Sequence, residues 1–185
     1  MNTLAAAILP TDVELLRQVA AGDEAAFAKL YDAYSPLIYN YLLRLLNEPA
    51  VSEEILQEVF LAMWRGARHF REEAKVKTWL LRIAHHQAVS WLRRDRAALW
   101  PNDELEPDDE HEIEEHLARS WQIDQVRAAL AQLTPKHRAV VELTFVHGLS
   151  YAEIAEVMNC PLGTVKSRMS YALRRMNDLL GSAGQ

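Results

Sequence analysis

The chain has 185 residues, 50% of them hydrophobic and 25% charged, which bounds it to one or two small globular domains. Its single cysteine, Cys160, excludes an internal disulfide framework and suits a reducing cytosol. The formal net charge is −6, but it alternates along the chain: residues 1–60 carry −6, residues 61–98 carry +6, residues 99–125 carry −9 and residues 126–185 carry +3. Blocks of opposite sign point to several different partners rather than one uniform field.

The N-terminus, "MNTLAAAILPTD", lacks a basic leader, and its apolar stretch is too short for a signal peptide or a membrane span. It is expected to be a frayed lead-in, and cytoplasmic localisation with no membrane insertion follows. Thr11 and Glu14 fit a capping box opening a short helix that Gly22 closes. Asp23 is placed to cap the next segment, in which Phe27, Leu30, Tyr31, Tyr34, Leu37, Ile38, Tyr41, Leu42 and Leu45 recur at three- and four-residue steps. Pro36 is expected to kink or restart this helix. Ser52 is predicted to cap a helix running to about residue 67, with Glu53 and Glu54 in its first turn. A charged loop and an apolar-periodic run over 76–94 complete a helical bundle in the first 98 residues.

Residues 101–116, "PNDELEPDDEHEIEEH", hold nine acidic residues and two prolines, too little apolar surface to offset the entropy of ordering. They read as a self-repelling linker with a reach of roughly 50 Å at ~3.3 Å per residue. His111 and His116 within it lack cysteine partners at zinc spacing and read as solvated, so no metal site and no cofactor is expected. The fold class is therefore all-α: a helical domain at 1–98, an acidic flexible linker at 99–119 and a second domain at 120–185.

In the second domain one helix precedes Thr134 and Pro135, a cap followed by proline at the first helical position. Gly148 ends the helix they open, and Ser150 with Glu153 starts a two-turn helix over Tyr151–Met158. After the "NCP" break a longer helix begins near Leu162. Val165, Met169, Leu173 and Met176 share its buried face, while Lys166, Ser167, Arg168, Tyr171, Arg174 and Arg175 fall largely on the others. Two helices joined by a short turn, the second basic, make a helix-turn-helix, which is joined to the first domain by the linker. Backbone N–H groups at 162–164, including Thr164, sit at the positive helix end and attract phosphate. Lys166 and Arg168 have the chemistry to reach base edges or phosphates.

These motifs carry a resemblance. "LTPKHRAVVELTFVHGLSYAEIAEVMNCPLGTVKSRMSYALRRM" is similar to region 4 of bacterial sigma factors of the extracytoplasmic-function (ECF) group. "GDEAAFAKLYDAYSPLIYNYLLRLL", "SEEILQEVFLAMWRGARHF" and "KTWLLRIAHHQAVSWLRRDR" resemble, in order, the opening helices, the polymerase-binding helix and the −10-reading helix of sigma region 2. The resemblance implies a transcription initiation factor that binds core RNA polymerase (its β′ clamp helices and β flap) and promoter DNA under control of an anti-sigma factor. It assigns Glu54, Gln57, Glu58 and Leu61 to polymerase, and Lys77, Trp79, Arg82, His86, Arg93 and Arg94 to the −10 element. It assigns Thr164, Lys166, Ser167, Arg168, Tyr171, Arg174 and Arg175 to the −35 element. Phe60 and Trp64 are expected to be core, and Trp79 reads equally as a packed core tryptophan. The family's usual "RN…D" in the −10 helix reads "HH…S" here, with His86 and Ser90 at the changed positions, a departure that bears on how the −10 element is read. The linker is implied to run through the polymerase cleft toward the RNA exit channel, where its carboxylates mimic RNA phosphates.

His86 and Ser90 lie one helical turn apart, but nothing near them in sequence supplies the orienting acid and oxyanion hole a hydrolase needs. With no phosphate-cradling glycine loop either, no enzymatic activity is expected. A polymerase-independent helix-turn-helix regulator needs an effector or dimerisation domain in place of 1–98, and an adaptor shows no salt-dependent DNA binding.

Overall fold

The computed structural model describes residues 11–72, 74–95 and 123–182; the lead-in at 1–10 and the linker at 101–116 with His111 and His116 lie outside the described residues. Among the described residues all regular structure is helical: α1 (Asp12–Ala20), α2 (Glu24–Leu46), α3 (Pro49–Gly66), α4 (Val76–Asp95), α5 (Ile123–Gln132), α6 (Pro135–Val141), α7 (Tyr151–Met158) and α8 (Leu162–Ser182). A 3₁₀ turn, Ala67–His69, follows α3, and a π-helical turn, Glu142–Val146, follows α6.

The punctuation works as local chemistry dictates. The Glu14 carboxylate accepts from the Thr11 backbone N–H at 2.7 Å while Thr11 Oγ1 accepts from the Glu14 N–H. Gly22 takes φ +92°, a left-handed turn open to glycine without strain. Asp23 Oδ1 accepts from Ala25 and Ala26 N–H at 2.8 and 3.0 Å. The Ser150–Glu153 capping box forms likewise at the start of α7, and Asn159 in the left-handed region ends that helix.

Two expectations are corrected. Pro36 does not restart the helix: α2 runs from Glu24 to Leu46 without a break, and the exposed position of Pro36 lets solvent take the carbonyl that proline leaves without a donor. Ser52 is not a cap: α3 starts earlier, with Glu48 at the cap and Pro49 pre-set in the first helical position. Ser52 is instead fully buried and donates to the Glu48 carbonyl at 2.8 Å.

Helices α1–α4 pack around Leu16, Leu30, Ile38, Tyr41, Leu42, Phe60, Met63 and Leu80, all 2% exposed or less. Burying side chains of this kind contributes about 1.5–3 kcal/mol each. Helices α6–α8 enclose Leu143, Ile154, Val165 and Met169, each 0% exposed. The two sets are not separate bodies, because their buried residues form one continuous cluster. Helix α4 lies against α7, and α2 against α6.

Candidate functional site

Glu54, Gln57, Glu58 and Leu61 stand at the i, i+3, i+4, i+7 spacing of one helical face, and all four are exposed on α3. Gln57 and Leu61 border an apolar groove of about 490 Å³ between α2 and α3, floored by Phe27, Tyr31, Phe60 and Trp64. Phe27 meets Trp64 edge-to-face at 5.5 Å, and Tyr31 meets Phe60 at 4.6 Å. Phe60 is buried and Trp64 half-buried, so the aromatic stripe is both core and groove wall. Leu61 and Tyr31 remain 40% and 36% exposed, which leaves an apolar face with acidic residues beside it.

Helix α4 turns Val76, Leu80, Leu81, Ala84, Ala88 and Leu92 inward. Of its six expected DNA residues, Arg82, His86, Arg93 and Arg94 are exposed. Trp79 is half-buried, tilted on Phe70 with ring centroids 5.2 Å apart, and packs so closely on Gly66 that a Cβ there would sit 3.3 Å from its ring. Lys77 is half-buried and its Nζ donates to the His147 carbonyl of the second domain at 2.6 Å.

Helix α8 presents Lys166, Tyr171, Arg174 and Arg175 to solvent, with Tyr171 stacked on His137 at 4.3 Å. Thr164 is half-buried, and its carbonyl accepts from Ser167 Oγ at 3.2 Å. Arg168 departs from the expectation of an open face. It is 9% exposed, with Nη1 3.9 Å from Cys160 Sγ, and it lines a cleft shared with His86, Ser90 and Arg93 of α4.

Contacts between α1–α4 and α5–α8 join residues far apart in the sequence. Arg44 donates to the Glu142 carboxylate at 2.8 Å. Arg138 donates to the Arg44 carbonyl at 2.9 Å and to carbonyls of Leu130, Ala131 and Leu133, tying the ends of α2 and α5 together. Lys75 and Glu153 lie 3.7 Å apart. Tyr41, 0% exposed, shares a 2.8 Å hydrogen bond with His85 and meets His147 edge-on at 5.5 Å. Burial, then the charges of His86 and Arg168, holds His85 down to about 3. Burial, then Lys77 and Arg44, holds His147 down to about 4. His86 is lowered by burial and by Arg82 and Arg93, while the Val157 carbonyl accepting from its ring opposes the shift. No sequence spacing marks these pairs, since their members lie far apart along the chain.

No described helix is long and apolar enough to cross a membrane, and among the described residues no cluster of three or more metal-ligating side chains forms.

Residues 30–98 match the family model of sigma-70 region 2, and residues 123–176 that of sigma-70 region 4. The ECF RNA polymerase sigma factor SigK of Mycolicibacterium vanbaalenii is 34% identical over 174 residues, covering 91% of this chain and 89% of that protein. SigK of Mycobacterium tuberculosis is 33% identical over 179 residues, covering 93% and 95%. Among solved structures, CnrH in complex with the cytosolic domain of CnrY superposes with a TM-score of 0.67 at 21% identity, over 92% of this chain and 97% of that one. RpoE of Bartonella quintana, in complex with the anti-sigma factor NepR, gives 0.63 at 23%, over 84% and 96%. Both share the all-helical fold.

Proposed function

Since the chain belongs to the ECF RNA polymerase sigma factors, we propose that it docks core polymerase through α3, reads the −10 element with α4 and reads the −35 element with α8. The observation that carries this division is the chemical contrast between surfaces. The α2–α3 groove is apolar with Glu24 at its edge, and Glu54 and Glu58 are exposed on the same helix as its Gln57 and Leu61, a surface suited to a protein partner, whereas the exposed cations of α4 and α8 suit phosphates and base edges. In residue terms the domains are 1–98 and 120–185, with 99–119 as the tether through the polymerase cleft.

The factor acts in the cytoplasm by binding and positioning, and polymerase performs the chemistry. An anti-sigma factor, the kind of partner that holds RpoE of Bartonella quintana, restrains it. In this arrangement Lys77 is held by the His147 carbonyl and Arg168 is buried, so both side chains must be released before they engage a promoter. Run-off transcription with core polymerase on a genomic library tests the reading: discrete promoter-directed transcripts are expected. DNA binding of equal strength and selectivity with and without core polymerase would favour an independent helix-turn-helix regulator.

A further inference from the structure

Three contacts between α1–α4 and α5–α8 share one chemistry: a basic side chain on one side meets a backbone carbonyl at a helix end on the other. Lys77 Nζ of α4 donates at 2.6 Å to the carbonyl of His147, the residue that caps the π-helical turn after α6. The His86 ring, also on α4, donates to the carbonyl of Val157, the penultimate residue of α7. In the opposite direction, Arg138 of α6 donates at 2.9 Å to the carbonyl of Arg44, in the last turn of α2.

The last carbonyls of a helix have no donor within it and carry the negative end of its dipole. They accept from lysine, arginine and histidine as phosphate oxygens do. Two of the three donors, Lys77 and His86, are side chains placed above on the −10 element. A side chain held by a carbonyl of the α5–α8 half is not available to DNA at the same time.

Space gives the same answer. His86, Ser90 and Arg93 follow one another at four- and three-residue steps and so share a face of α4. They line a cleft of about 240 Å³ whose other side carries Lys136 and Asn159 of the α5–α8 half. That is room for about eight waters at ~30 Å³ each. A duplex, whose major groove alone is about 12 Å wide, does not fit there.

We propose that the α5–α8 half is a built-in competitor of promoter DNA: it closes over α4 by offering helix-end carbonyls to Lys77 and His86, and Arg138 latches the closed form from the other side. That the competing ligand is promoter DNA rests on the function proposed above; the closure and its latch do not. Arg138 is the place to open the latch, because it belongs to none of the sets assigned to DNA or polymerase and its loss leaves every reading side chain in place.

The test uses the full chain without polymerase. Small-angle scattering measures compactness, and mass spectrometry measures the rate of Lys77 acetylation. The DNA probe is the −10 half of a promoter recovered by run-off transcription. R138A should expand the molecule, speed Lys77 acetylation and bind the fragment about tenfold more tightly, the scale of losing one hydrogen bond to a charged group. R138K keeps the charge without the fork and should fall between R138A and the parent. Arg138 also holds the carbonyls of Leu130, Ala131 and Leu133 around the end of α5, so circular dichroism checks that both variants remain folded. The parent provides a test without substitution: by reciprocity, the bound fragment should itself expand the chain. A folded R138A with the compactness and Lys77 reactivity of the parent would overturn the latch. An opened R138A with the parent's DNA affinity, or a parent that binds the fragment without expanding, would overturn the competition. An opened R138A that, like the parent, binds no promoter fragment would count against the proposed function and leave the latch standing.

Discussion

Arg44 and Glu142, 98 residues apart, meet at 2.8 Å across the two domains, with the carboxylate side chain 4% exposed and the guanidinium 44%. Glu142 is the first residue of the π-helical turn that follows α6. A carboxylate so deeply placed is expensive to leave without its cation.

Arg44→Ala should therefore loosen closure by about 1–3 kcal/mol, the penalty for an unsatisfied buried polar group. Glu142→Gln should do less, because it removes the charge along with the salt bridge. Small-angle scattering checks this through the radius of gyration; identical compactness in R44A and the parent would show that the pair does not hold the domains.

Acid should open the molecule through histidine. His147 and His85 sit at about 4 and about 3, below the ordinary 6.5, so the packed state binds fewer protons than the open or unfolded one. Their contribution to stability is complete above pH 6.5 and is lost as pH falls from there toward those values. Arg44, Lys77, Tyr41 and Glu142 surround His147, and its two ring nitrogens have no hydrogen-bond partner among the described residues. Urea unfolding at neutral pH and near pH 5 should show the loss, and His147→Leu should reduce it. Below about 4.5 the capping carboxylates Glu14 and Glu153, both lowered by their hydrogen bonds to Thr11 and Ser150, add a second loss.

On the polymerase side, Glu58→Arg reverses a charge on the exposed face of α3 beside the apolar groove. Core-enzyme binding should weaken by up to several kcal/mol, as for like charges placed together at an interface. Binding of the free protein to DNA should be unaffected. Core affinity equal to that of the parent would remove Glu58 from the interface.

Lys166 and Arg168 should behave differently on DNA. Lys166 is exposed, and its alanine variant should weaken binding to all sequences and reduce the salt slope by about one. Arg168→Ala should cost about 1–3 kcal/mol on the native −35 element and less on a scrambled one. Equal losses on the two sequences would make Arg168 a phosphate contact.

Replacing 101–116 with a Gly/Ser tether of equal length keeps the reach and removes the charge. Holoenzyme formation should weaken and the balance of abortive to full-length transcripts should change, while DNA binding by the free chain is retained. If both transcription readouts stay constant, the segment serves as a solvated tether.

Much of this protein was legible in sequence because the deciding forces are local. A capping box needs residues three apart, and a buried helix face needs apolar residues at three- and four-residue steps. Hence Thr11, Asp23 and Ser150 marked real helix starts, and Val165, Met169 and Met176 marked the buried side of α8. Ser52 misled because it has the side chain of a good cap, while the proline at 49 had already fixed where the helix begins. The sigma-factor motifs were legible for a similar reason, since each lies within one or two adjacent helices.

What tertiary structure alone decided is how the two halves meet. Arg44 with Glu142, Tyr41 with His85, and Lys77 with the His147 carbonyl are each 44 to 98 residues apart, and no periodicity relates them. Arg168 shows the limit most clearly. Its position on α8 follows from helical geometry, but its burial depends on groups from other elements, Cys160 after α7 among them, and a pattern confined to one helix carries no information about which neighbours will surround its polar side.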